Sequence, residues 1–117
     1  MEKINILIVS DPSRKEKSDI NNAYNAFKKY LADDSEPHLR SISSYNRIAW
    51  ALYDKYVEES EVSPGMTIFV MEYSSNEAII KNSDVLILLP ALDRTGFCED
   101  IERKWLKIKG DVKIEVI

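Results

Sequence analysis

From its amino terminus the chain alternates between short apolar runs and longer amphipathic stretches. Ile4 to Val9 (INILIV) is nearly continuous and rich in β-branched residues, the pattern of a strand covered on both faces. The turn cluster Ser10-Asp11-Pro12-Ser13 ends it. Ile20, Ala23, Tyr24, Phe27, Tyr30 and Leu31 then recur at helical spacing, with Ser18 or Asp19 placed to cap the helix. His38 to Ser43 alternates enough for a second, short strand. Ser43 or Ser44 caps the next helix, whose main stripe is Tyr45, Ile48, Ala49, Leu52 and Tyr56. Pro64-Gly65 marks a turn before the third strand, Met66–Met71. Ser74 and Glu77 have the spacing of a capping box opening a short helix with Ala78, Ile79 and Ile80. Asp84 to Leu89 reads as the fourth strand. Residues 96–108 read as a helix with the stripe Phe97, Ile101, Trp105 and Ile108, and 112–117 as the last strand.

The predicted order is β-α-β-α-β-α-β-α-β in one α/β domain over residues 1–117. Strands that read as apolar runs and alternate with helices indicate a three-layer, doubly wound parallel sheet of five strands. Right-handed crossovers leave few topologies, and a flavodoxin-like strand order of 2-1-3-4-5 is the expectation. In such a sheet a ligand sits beyond the carboxyl ends of the strands, where the order reverses. With that order the reversal falls between the first and third strands. The segments expected at the rim are then Ser10 to Ser13, Glu72 to Asn76 and Pro90 to Gly96. Ser10, Ser13, Tyr73, Ser74, Asn76, Thr95 and Gly96 become candidate ligand contacts, and Asp11 and Asp93 candidate acids.

Composition narrows the chemistry. The net charge of −4 gives no clustered cationic surface, so neither a nucleic acid nor an anionic membrane is an expected partner. One cysteine, Cys98, excludes an internal disulfide and points to a reducing cytoplasm. One cysteine and one histidine, His38, are too few for a structural zinc site. The first apolar run is too short for a membrane span, and its flanks do not fit a signal peptide. The motif G-x-G-x-x-G is absent, as is G-x-x-x-x-G-K followed by Ser or Thr. No cofactor or metal is expected, and a small polar or nucleoside-like molecule is the ligand class left.

The stretch 82–102, NSDVLILLPALDRTGFCEDIE, crowds three acids, Glu99, Asp100 and Glu102, into the start of a helix. In one reading they complement the helix dipole; in the other, Asp100 is a catalytic or ligand-binding carboxylate. On a helical wheel Glu99 points away from the apolar stripe, and Asp100 and Glu102 lie on its two flanks. Cys98, in the first turn, reads as a small core residue or as a thiol activated by the dipole.

Residues 76–102 resemble the nucleoside 2-deoxyribosyltransferase-like group. In that group a strand headed by Ser-Asp is followed by a Ser/Thr-Gly turn and a glutamate four residues past the glycine. Ser83-Asp84 match the pair and Thr95-Gly96 the turn, and Asp100 stands at the glutamate's position. The resemblance implies a flavodoxin-like fold and a nucleoside or nucleotide as partner. It also implies attack on an N-glycosidic bond through a covalent intermediate on Asp100. Asp11 or Asp93 would manage the proton of the departing base and Tyr73 would stack on it.

The second helix carries another apolar strip, Trp50, Tyr53 and Val57, beside its main stripe. Either a neighbouring element covers it, or it is the interface of a homodimer or partner complex. The alternative to a ligand-handling enzyme is therefore a non-catalytic interaction or regulatory domain.

Overall fold

The structure is a computed structural model that describes residues 2–31, 35–42, 47–60, 65–69, 76–91, 96–111 and 113–117. Its elements run β1 (Glu2–Ser10), α1 (Lys17–Lys29), β2 (Ser35–Ile42), α2 (Arg47–Ser60), β3 (Gly65–Phe69), α3 (Asn76–Lys81), β4 (Val85–Leu89), α4 (Phe97–Lys109) and β5 (Ile114–Val116). The α/β alternation is thus as expected, and every described strand pairing is parallel.

The strand order is not the expected one. It is β3-β2-β1-β4-β5, so β1 pairs directly with β4 in the register Ile6↔Val85 to Ser10↔Leu89. The flavodoxin-like order 2-1-3-4-5 would have put β3 between them. Instead β3 lies at one edge, and the order reverses between β1 and β4. β3 thus ends at the sheet's margin, two strand spacings or about 10 Å from β1, and residues 72–75 of the expected rim lie outside the described residues.

Alternation along the two central strands builds a core on each face. Ile6 and Ile8 of β1 with Val85, Ile87 and Leu89 of β4 face Ala23, Tyr24, Ala26 and Phe27 of α1 and Ile48, Ala49 and Leu52 of α2. Leu7, Val9, Leu86 and Leu88 point the other way, onto Ile79 and Ile80 of α3 and Cys98, Ile101 and Trp105 of α4. Side chains buried on both faces explain why β1 and β4 read as unbroken apolar runs.

Several boundaries moved for local reasons. β2 starts three residues before the expected His38. Pro37 lies one residue ahead of the first β2–β3 pair, His38↔Gly65, so its missing N–H interrupts no ladder toward β3. His38 itself is inside the sheet, paired with Asn5 and Gly65. The N-cap of α1 is Glu16, not Ser18 or Asp19; its backbone N–H donates to the Asp19 carboxylate at 3.1 Å. The expected caps Ser43, Ser44 and Ser74, with Tyr45, lie outside the described residues, as does the Phe97 side chain.

Candidate functional site

The rim beyond β1 and β4 is built on paired strand ends. Past Ser10↔Leu89, the Asp11 N–H donates to the Leu89 carbonyl at 2.8 Å, which carries the pairing one residue into the loop. The chain then turns on Asp11. Its Oδ2 accepts from the Ser13 N–H at 2.9 Å and from the Ser13 hydroxyl at 2.5 Å, and its carbonyl accepts from the Arg14 N–H. This is an Asx turn, the local bond that makes aspartate a turn former. One oxygen of Asp11 and the Ser13 hydroxyl are engaged with each other.

Arg14 closes the rim. Its Nη1 donates to the carbonyls of Pro90, just past β4, and Ile117, just past β5, at 2.9 and 3.0 Å; its Nε donates to Asp19 at 2.9 Å. One guanidinium fork thereby joins the ends of two strands to the first turn of α1. The side chains of Arg14 and Asp19 are only 11% and 13% exposed, so solvent screens the pair far less than a surface ion pair. Sequence reasoning missed Arg14. Its nearest signal is the acid five residues on, and the two carbonyls it bonds are 76 and 103 positions away.

The opposite wall is the start of α4. Gly96 is its N-cap at φ 107°, ψ −164°, a conformation open to glycine and strained for other residues. The N-cap, being glycine, has no side chain to cap the first-turn N–H groups, which project from this end of the helix. Cys98 is buried, with its thiol 3.8 Å from the Leu89 carbonyl. Burial and then the negative charge of Asp11 push it up from its ordinary 9.0 to about 12, with Arg14 opposing. At neutral pH it is a protonated core thiol rather than a nucleophile.

The acids of α4 do not lie as the wheel suggests. Glu99 is half-buried and Asp100 is exposed. Asp100 forms an ion pair at 3.1 Å with Arg103, and the two side chains are 58% and 74% exposed. A shallow open depression lined by Glu99, Glu102, Arg103 and Leu106 runs along the helix away from the strand ends.

Of the residues singled out from sequence, Ser10, Asp11, Ser13 and Gly96 share the rim, with Asp100 on the outer side of its α4 wall. Asp93, Tyr73, Ser74, Thr95 and the Asn76 side chain lie outside the described residues. Ser83 and Asp84 occupy the amino-terminal end of the sheet, opposite the rim, and are structural. The Ser83 hydroxyl donates to Ile79 at 2.7 Å, its carbonyl accepts from the Lys109 ammonium, and Asp84 exchanges two hydrogen bonds with Asn5. Trp50 is exposed on α2, and Tyr53 and Val57 are half-buried. Among the described residues no helix is long and apolar enough to cross a membrane, and no cluster of three acidic, His or Cys side chains is placed to hold a metal. No family model, characterised protein or solved structure matches this chain.

Proposed function

We propose that the protein binds a nucleoside or nucleotide at the rim between β1 and β4. The observation that carries this is the strand order, which reverses at β1/β4, where the Asp11 turn and the glycine-headed first turn of α4 both meet the Leu89 carbonyl. Doubly wound sheets of this order bind nucleotides at that crevice, and an open helix amino terminus complements a phosphate or another electron-rich group. The Asp11 oxygen that has no partner among the described residues suits a sugar hydroxyl as donor. The absence of a glycine-rich first turn favours a small, weakly held ligand over a dinucleotide.

Binding without bond cleavage is the better-supported form of this reading. A nucleophilic carboxylate gains from a dry, pre-organised setting; Asp100 is solvated and paired with Arg103. Transfer at an N-glycosidic bond stays attached to the resemblance of residues 76–102. Amide chemical shifts recorded while nucleosides and their monophosphates are added at millimolar concentration test the proposal. Shifts confined to residues 10–14, 89–91 and 96–99 are expected. Saturating shifts centred elsewhere, or none with any of these ligands, would sink it.

A further inference from the structure

The described side chains of α2 fall into distinct groups around its axis. Ile48, Ala49 and Leu52 are buried in the first core. One flank faces α1, where Glu59 accepts from the Tyr24 hydroxyl at 2.8 Å and Lys55 stands 5.3 Å from the Tyr24 ring. The other flank carries Trp50, Tyr53 and Val57. Because α1 lies against β4 and α2 against β2 and β1, this flank turns toward the β3 edge of the sheet. Trp50 is 44% exposed, and its ring meets Tyr53 edge-on at 5.7 Å. Beside that strip, on the outward side, run Arg47, Asp54 and Glu58, all exposed.

The charges supply the direction. In α1, α3 and α4 acids occupy the first turn and bases the last, as the helix dipole favours. α2 has no acid in its first turn and no base in its last; it opens on Arg47 and closes with Glu58 and Glu59. Glu59 is accounted for by Tyr24. Arg47 and Glu58 run against the dipole of their own helix, and together with Asp54 they complement an α2 laid antiparallel to it.

We infer that α2 is a homodimer interface. Two copies pack α2 against α2 across a two-fold axis near residues 52 and 53. Trp50 of each meets Tyr53 and Val57 of the other, and Arg47 of each faces Asp54 and Glu58 of the other. Such an isologous contact is self-complementary, with Trp and Tyr as its anchors. One helix face buries less than the roughly 1,200 Å² at which stable interfaces begin, so the dimer exchanges with monomer.

Sedimentation equilibrium of the full chain, from about 1 μM to about 1 mM, tests this. The average mass should climb from 13.5 kDa toward twice that value. Trp50→Ala should hold the protein monomeric across the range. Arg47→Glu and Glu58→Arg should each raise the dissociation constant at least about tenfold, and the double swap should bind at least about threefold more tightly than either single variant, with Asp54 still opposing full recovery. Circular dichroism identical to wild type shows that these surface variants fold. A wild type monomeric throughout overturns the inference. So does a dimer indifferent to Trp50→Ala, or a double swap that binds no more tightly than the single variants.

Discussion

Arg14 shows how much a single side chain can fix beyond the reach of apolar packing. Its two bonds to strand-end carbonyls and its pairing with Asp19 satisfy groups that are largely shut off from water. Arg14→Met should therefore lower stability by about 3 kcal/mol, since it removes charge-assisted bonds and strands a part-buried carboxylate. Arg14→Lys should recover less than half, because an ammonium cannot reproduce the fork. Urea midpoints measure both; a loss under about 1 kcal/mol for Arg14→Met would mean that water replaces the guanidinium. Titration gives a second prediction at this scale. Cys98 is raised from 9.0 to about 12 by burial first, and Tyr30 from 10.0 to about 12 by burial and then by its bond to Glu115. Both groups hold their protons more tightly folded than unfolded. Their contribution is intact below pH 9 and is lost as pH rises toward about 12, by up to about 1.4 kcal/mol per pH unit for each group. In stability–pH curves, Cys98→Ala should remove the decline that starts near 9, and Tyr30→Phe the part that starts near 10. Unchanged alkaline slopes in both variants would contradict the assignment. The burial of Cys98 was legible as one of two sequence readings; its neighbours Asp11 and Arg14 were not, because spatial proximity across β1 and β4 leaves no local trace.

At the scale of elements, periodicity was a sound guide to what forms and a poor guide to where it begins. The stripes Ala23/Tyr24/Phe27 and Ile48/Ala49/Leu52 are buried as their spacing requires. The first turn of α1 departed because a backbone N–H to Asp19 bond does the capping, so Asp19 sits within the helix's first turn rather than ahead of it. β2 was expected from His38 on alternation alone, and it begins at Ser35 because its pairing with β1 runs on through Pro37, from Glu2↔Ser35 to Ile8↔Ser41. α4 supplies the prediction. Gly96 and Gly110 flank it at φ 107° and 78°, and a Cβ built on either would meet nothing within 4 Å. Any cost of Gly96→Ala or Gly110→Ala is then backbone strain alone, expected at about 1–3 kcal/mol each and additive in the double variant. Thermal unfolding of the three variants checks this. A neutral Gly96→Ala would show that α4 can start from an ordinary extended residue, and glycine at this end would lose its structural reason.

For the whole molecule, the hydrophobic runs carried the layers but not the strand order. The third strand reads almost as apolar as the first and fourth, yet it lies at the sheet's edge. The usable signal was two-sidedness: β1 and β4 bury both parities of their side chains, and β2 buries Leu39 and Ser41 while Glu36, His38 and Arg40 are only half-buried. A strand covered on both faces belongs at the centre, and that criterion pairs β1 with β4 and moves the rim with them. The same sharing has an energetic consequence. The two cores meet only through the sheet, yet β1 and β4 contribute to both, so neither layer has a strand set of its own. They should unfold together. Trp105 is fully buried under α4 and Trp50 is exposed on α2, which allows a clean test. Trp105→Ala should cost about 3–5 kcal/mol, a large share of the 5–15 kcal/mol typical of a domain. Trp50→Ala should cost under about 0.5 kcal/mol at concentrations where the protein is monomeric. With Trp50→Phe the remaining fluorescence reports Trp105 alone. Its red shift in urea should coincide with the loss of helical circular dichroism, as one transition requires. If the fluorescence change came first, the α3/α4 layer would be melting from a sheet still held by α1 and α2, and the shared strands would not couple the two cores.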